Sequence, residues 1–293
     1  MPVTRVERLV FGVTDIPECT KFFDTLGLAR SPGATGITYQ LPSGQRVELR
    51  QAADPDLPAT DEQGSTVREV IWGVDSAASL EALAADLGRD REITRDADGT
   101  IHARDDIGMA IGFTVEQGRD PGIPGRRTVN AVIRPADPPS PVRLAHVVYH
   151  CPRGELDAAR NFYIQRLGFR ESDLIEGMGS FMRAPGNRWH HNLFMLAAVP
   201  KKGWHHCAFD MDTLDGVFAR GRLMIAEGFG EPSLPGRHVV GSNVFWHFHA
   251  PCGGIVELST DMDEMDDDWK TQVWEKPPLF DQWQLSSLLK PSN

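Results

Sequence analysis

The stretch GRHVVGSNVFWHFHAPCGGIVELSTD, residues 236–261, sets three histidines and a glutamate among residues that otherwise alternate like strands. In GIVELS the apolar Val256 and Leu258 share one face, so Glu257 falls on the other with Ile255 and Ser259. A carboxylate turned into the concave side of a sheet needs a cation or hydrogen-bond donors, because leaving it desolvated and unpaired is expensive. Strand-borne histidines on the same surface are the natural partners. Two imidazoles and one carboxylate on one face, with open positions left over, suit non-haem Fe(II), and zinc, nickel or manganese can use the same set.

Such a face has to be built by strands, and the chain shows a recurring order of them. The run RVERLVFGV is followed by the helical pattern IPECTKFFDTLGL with its stop at Gly27, and VRLAHVVYHC is followed by GELDAARNFYIQRLGF with its stop at Gly168. Helical segments SAASLEALAADLG and TLDGVFARGRLMIAEG each come after a short apolar run, REVIWGV and WHHCAFDM, and short β-like runs follow every helix. The pattern predicts an α+β protein of four βαβββ modules. SGQRVELR in the first module and CGGIVELS in the fourth share Val-Glu-Leu at matching places. The Pro-rich IRPADPPSP, residues 133–141, is the expected linker, dividing the chain near residue 140 into domains of residues 1–135 and 142–293. A polar tail follows the last strand, its DEMDDDW run read as solvated and its Trp and Phe residues as packing back on the body.

Only His102 of the ten histidines precedes the linker, so the chemistry belongs to the second domain. Most of the others stand as HH pairs or as HFH on expected strands, where alternation lets at most one of each HH pair face a common cavity. Composition narrows the partners. With 30 basic and 41 acidic residues the net charge is -11, against a nucleic-acid footprint or attraction to anionic lipid. No apolar run approaches the roughly 20 residues that span a bilayer, and the N-terminal residues lack a signal-peptide pattern. Cys19, Cys151, Cys207 and Cys252 are scattered without a CxxC pair, as expected of reduced core thiols in a cytoplasmic protein.

The C-terminal half resembles the type I extradiol catechol dioxygenases of the vicinal oxygen chelate superfamily, which also holds glyoxalase-like isomerases. The resemblance rests on LAHVVY, WHHCAF, HHNLFM, GRH and APCGGIVEL. It implies two tandem vicinal-oxygen-chelate domains built from paired βαβββ modules, the first a structural domain without metal, the second catalytic. It also implies His146, His206 and Glu257 as ligands of Fe(II), with Mn(II) as the other candidate, and His205 on the outer face. His191 takes the acid–base position, and His238 the position that contacts the substrate. Members carry a Tyr nine residues after that His and ten before the Glu; here the residue is His247. The intervals from His238 to His247 to Glu257 otherwise match without gaps. His238 and His247 are assigned to substrate oxygens.

The implied activity is extradiol ring cleavage of a catecholic compound by dioxygen in aromatic degradation, both oxygen atoms entering the product, by a homo-oligomer. The alternative within the superfamily is a metal-dependent isomerase or lyase, and a metal-free binding protein on the same fold is a third reading. A second carboxylate is common at isomerase sites, whereas the surrounding groups here are histidines. His150, His190, His205 and His249 read as structural, with His249 sharing the parity of His247. Trp246, Phe248 and Cys207 read as packing residues on the alternate face.

Overall fold

The computed structural model describes residues 3–32, 36–118, 138–230 and 233–288. The first module comprises β1 (Val3–Val13), α1 (Ile16–Leu26), β2 (Ala29–Ser31), β3 (Ile37–Gln40) and β4 (Arg46–Gln51), and the second β5 (Thr66–Val74), α2 (Ala77–Leu87), β6 (Thr94–Arg95), β7 (Ile101–Arg104) and β8 (Ala110–Val115). The third contains β9 (Arg143–His150), α3 (Leu156–Asn161) continued by a π turn over Phe162–Arg166, β10 (Arg170–Ile175), β11 (Gly179–Arg183) and β12 (Leu193–Leu196). The fourth contains β13 (Gly203–Asp210), α4 (Leu214–Ala226), β14 (Gly236–His238), β15 (Val244–His249) and β16 (Ile255–Thr260). The tail adds β17 (Gln272–Trp274), β18 (Asp281–Gln284) and a single turn, α5 (Leu285–Leu288).

The helices begin and end where the sequence places their signals. Asp15, Ser76 and Thr213 each accept a backbone N–H of the first turn of α1, α2 and α4. Gly27, at φ 89°, closes α1 in the left-handed conformation. In every module the opening strand pairs parallel with the last strand, which requires the crossover that the helix supplies. The opening strands of sister modules pair antiparallel, β1 with β5 and β9 with β13. Two sheets result, ordered β2-β3-β4-β1-β5-β8-β7-β6 and β17-β10-β11-β12-β9-β13-β16-β15-β14-β18.

Apolar residues facing the helices form one core that runs through both sheets. The rings of Phe11 and Trp204 lie 6.1 Å apart, and those of Phe22 and Phe229 4.9 Å. Gln45, buried, joins the halves by donating to the carbonyls of Val6 and Leu144 while accepting from the Leu144 N–H. Of the expected linker, residues 133–137 lie outside the described residues. Pro138 and Pro139 accept hydrogen bonds from Arg220 of α4.

The tail packs back along both rims of the ten-stranded sheet, β17 parallel to β10 and β18 antiparallel to β14, which covers two edges that would otherwise template further pairing. Asp266, Asp267, Asp268 and Trp269 are exposed, whereas Met265 of the same run is buried. No helix among the described residues is long and apolar enough to cross a membrane.

Candidate metal centre and cavity

Strand register places the cluster. His146 on β9 lies opposite Ala208 on β13, Ala208 lies opposite Glu257 on β16, and Glu257 lies opposite His247 on β15. These four residues form one row across four adjacent strands, and residues directly opposite share a face. His206, two residues before Ala208, joins the same face. The small side chain of Ala208 leaves the middle of the row open.

The donor atoms converge there. His146 Nε2 lies 3.3 Å from His206 Nε2 and 3.6 Å from Glu257 Oε2, and His206 Nε2 lies 3.4 Å from the same oxygen. Ligands held at about 2.1 Å from one ion sit about 3.0 Å apart at right angles and about 3.4 Å apart at the tetrahedral angle, so these spacings fit a single small cation. The other Glu257 oxygen accepts from Asn243 Nδ2 at 2.8 Å. Burial alone pushes the Glu257 carboxyl up, but the imidazoles of His146, His206 and His247 outweigh it and hold it well below the usual carboxylate range. Burial drives His206 well below the usual imidazole value. An ionised Glu257 beside a neutral His206 imidazole is the protonation state that a divalent cation requires.

His247 Nε2–H donates to Glu257 Oε2, 3.0 Å away, and its Nδ1 faces Ser233 Oγ at 3.2 Å. With His238 and Glu257 it forms a second group whose donor atoms lie within 4.8 Å of one another, sharing Glu257 with the His146–His206 pair. His238 stacks on Phe245 with ring centroids 4.0 Å apart, and its Nδ1 meets Asp281 of the tail at 3.0 Å, which turns Nε2 toward the cavity. His191 is buried against His146, ring centroids 4.4 Å apart, and burial together with His146 and His190 holds it well below the usual imidazole value.

These side chains open into a cavity of about 530 Å³, within the usual range of small-molecule sites of roughly 300–1,000 Å³. Its walls are apolar, with Val148, Ile175, Phe181, Phe194 and Phe245 from the sheet and Pro277, Leu279 and Phe280 from the tail. No Lys or Arg lines it among the described residues.

Two local expectations need correction. His190 and His191 lie in the bend before β12, not on a strand, so alternation does not sort them. His191 reaches the cavity, and His190 sits behind it, bonded to Asp173. His205 and His206 both line the cavity, because the β13–β9 register shifts between Trp204 and His206 and breaks the alternation that sends His205 outward. Burial lowers His205 to about 4, and its Nδ1 lies 2.5 Å from His206 Nδ1. His150 packs its ring 4.6 Å from that of His205, and His249 is exposed outside the cavity. Trp246 and Phe248 are buried on the helix side, as expected, and the thiol of Cys207 is buried and pushed up.

Asn243, Asp173 and Asp281 escape the sequence reading. The only signal is the rule that a buried carboxylate or imidazole needs a partner, which does not say where in the chain that partner lies.

The eight-stranded sheet has a counterpart cavity of about 560 Å³. There Glu48, which matches Glu257 in the repeat, is held by Arg8 at 3.0 Å, and His102 lies between Glu69 at 2.9 Å and Asp96 at 3.2 Å.

Residues 143–258 match the model of the Glyoxalase/Bleomycin resistance protein/Dioxygenase superfamily. Metapyrocatechase 2 of Cupriavidus necator is 36% identical over 123 residues, a match that covers 42% of this chain and 38% of that protein. Among solved structures, the Mn(II)-bound glyoxalase from Novosphingobium aromaticivorans superposes with a TM-score of 0.76 at 23% identity, over 96% of this chain and 91% of that one. The 2,3-dioxygenase LapB from Pseudomonas sp. KL28 superposes with a TM-score of 0.75 at 19% identity, over 94% and 98%. Both likenesses are of fold. The family match is confined to residues 143–258, the third and fourth modules that carry His146, His206 and Glu257.

Proposed function

We propose that the chain is an Fe(II)-dependent extradiol dioxygenase that cleaves the ring of a bulky, uncharged catechol with dioxygen. The observation that carries this reading is the meeting of His146 Nε2, His206 Nε2 and Glu257 Oε2 within 3.6 Å at the end of an apolar cavity. Two imidazoles and one carboxylate would hold the ion and leave positions open on its cavity side. Bound iron would supply the redox chemistry by which catechol and dioxygen react.

The chain's own residues do the rest. The apolar walls exclude water and position the ring. His238, fixed by Asp281, and His247, fixed by Ser233 and Glu257, would meet substrate oxygens. His191 would hold and move the reaction's protons beside His146. The space exceeds what one aromatic ring needs, and among the described residues no Lys or Arg lines it to pair with a carboxylate, which favours catechols carrying an alkyl or aryl group over carboxylated ones. The relative from Cupriavidus necator, a metapyrocatechase, supports the same activity class over the matched residues. We further assign residues 1–135 as a structural domain, since Arg8 already neutralises Glu48. Residues 142–293 form the catalytic one.

The test is oxygen uptake by protein reconstituted with Fe(II) under anaerobic conditions and then given dioxygen with alkyl-, aryl- and carboxyl-substituted catechols. Uptake in a one-to-one ratio with a yellow ring-fission product, lost in His146→Ala and Glu257→Gln, is expected. Bound iron with no uptake on any catechol would overturn the reading in favour of a metal-dependent isomerase or lyase.

A further inference from the structure

Behind His191 runs a buried chain of polar atoms that ends in the C-terminal tail. Trp274 Nε1–H donates to Asp173 Oδ1 at 2.6 Å, and Asp173 Oδ2 lies 2.6 Å from His190 Nε2. His190 Nδ1 lies 3.0 Å from His191 Nδ1. Asp173, His190 and His191 are all at least nine-tenths buried. Asp173 sits on β10, and β17 pairs with it in parallel, so the tail delivers Trp274 to the carboxylate. Gly241, at φ 85°, closes over the pair: a Cβ there would stand 3.1 Å from His190 Nδ1.

Proton counting along this chain has one solution for neutral rings. A carboxylate only accepts, so His190 carries its proton on Nε2 and its Nδ1 is bare. Two nitrogens 3.0 Å apart share one proton, so His191 must supply it from Nδ1. A neutral imidazole has a single N–H, which leaves His191 Nε2 bare. We propose that Asp173, held by Trp274, sets the tautomer of His191 through His190, so that His191 presents a lone pair at Nε2 to the cavity.

Asp173, His190 and Trp274 are therefore positioning residues. The consequence for the cavity is directional: the resting His191 accepts a hydrogen bond from a hydroxyl and donates none until it has taken a proton. In taking one, Nε2 forms the N–H bond and the hydroxyl O–H breaks, and Asp173 offsets the charge left on the two rings. The inference deepens the proposed activity and rests on it only for the identity of that hydroxyl.

The test reads the tautomers in metal-free protein labelled with ¹⁵N-histidine, where the bare and protonated ring nitrogens resonate apart. Wild type is expected to show His190 protonated at Nε2 and His191 at Nδ1. In Asp173→Asn, Trp274 retains the amide oxygen and the amide N–H faces His190 Nε2, which should invert both rings. Trp274→Phe should retain the wild-type pattern with weaker order. A wild-type His191 protonated at Nε2, or no inversion in a folded Asp173→Asn, overturns the inference whether or not the protein cleaves catechols. With a catechol that turns over, Asp173→Asn should lower kcat by about 100-fold and leave KM within about threefold, as expected when acid–base work rather than binding is lost. A change in KM alone would also count against it.

Discussion

His247 stands directly opposite Glu257 on neighbouring antiparallel strands, and its Nε2 lies 3.0 Å from the carboxylate oxygen that faces His146 and His206. The imidazole would therefore compete with a bound cation for Oε2. His247→Phe is expected to retain metal at one equivalent per chain, by elemental analysis, while lowering turnover about tenfold or more through loss of a substrate contact. His146→Ala and Glu257→Gln should lose the metal. Loss of metal in His247→Phe would place the imidazole in the coordination sphere.

Ala208 keeps the middle of the row open between His146 and Glu257. Replacing it with Val puts two methyl groups where the donor atoms converge, and overpacking of this kind costs about 1–3 kcal/mol. Ala208→Val should therefore melt a few degrees lower yet remain folded, and should bind Fe(II) far more weakly than wild type in a titration. Unchanged metal affinity would show that the row does not enclose the ion.

The module order, the helix stops at Gly27 and Gly168 and the face carrying Glu257 were legible in the sequence because each depends on local pattern. The intervals His238 to His247 to Glu257 were legible through the resemblance to the extradiol dioxygenases, and the second of them spans one antiparallel pair, whose register follows from turn length. The inward turn of His205 was hidden, since a register shift beside Trp204 leaves no composition signal. The partnership of Asp173 with Trp274 was hidden because their residues lie 101 positions apart and meet only through a tail strand. The ion pair of Arg8 with Glu48 was hidden in the same way, across strands β1 and β4.

Phe280 is 65% exposed and packs its ring 5.1 Å from that of His238, at the tail side of the cavity. A substrate substituent that covers this ring gains about 25 cal/mol per Å² of apolar surface removed from water. Phe280→Ala is expected to raise KM for an aryl-substituted catechol about tenfold and to leave KM for unsubstituted catechol nearly unchanged. The double variant Leu279→Ala/Phe280→Ala, which spares Trp274 and Asp281, should do the same more strongly. Equal effects on both substrates would mean that the tail shapes the histidines rather than the substituent pocket.

Asp105 joins the two sheets from the loop between β7 and β8. Its Oδ1 accepts the N–H groups of Ile107 and Met109, and the Tyr163 hydroxyl of the π turn donates to Oδ2 at 3.2 Å. Burial nevertheless dominates and raises its carboxyl from 3.8 to about 6. At pH below about 4 the carboxyl is protonated in both folded and unfolded chains. Between about pH 4 and 6 the unfolded chain releases the proton first, so the unfolded state gains and stability falls; above about 6 the penalty is complete at roughly 3 kcal/mol. Asp105→Asn removes this titration. Chemical denaturation at several pH values should show wild type losing stability relative to the variant from pH 4 to 6, with a constant gap at higher pH. A gap that is the same at every pH would place the carboxyl's ionisation outside the folding equilibrium.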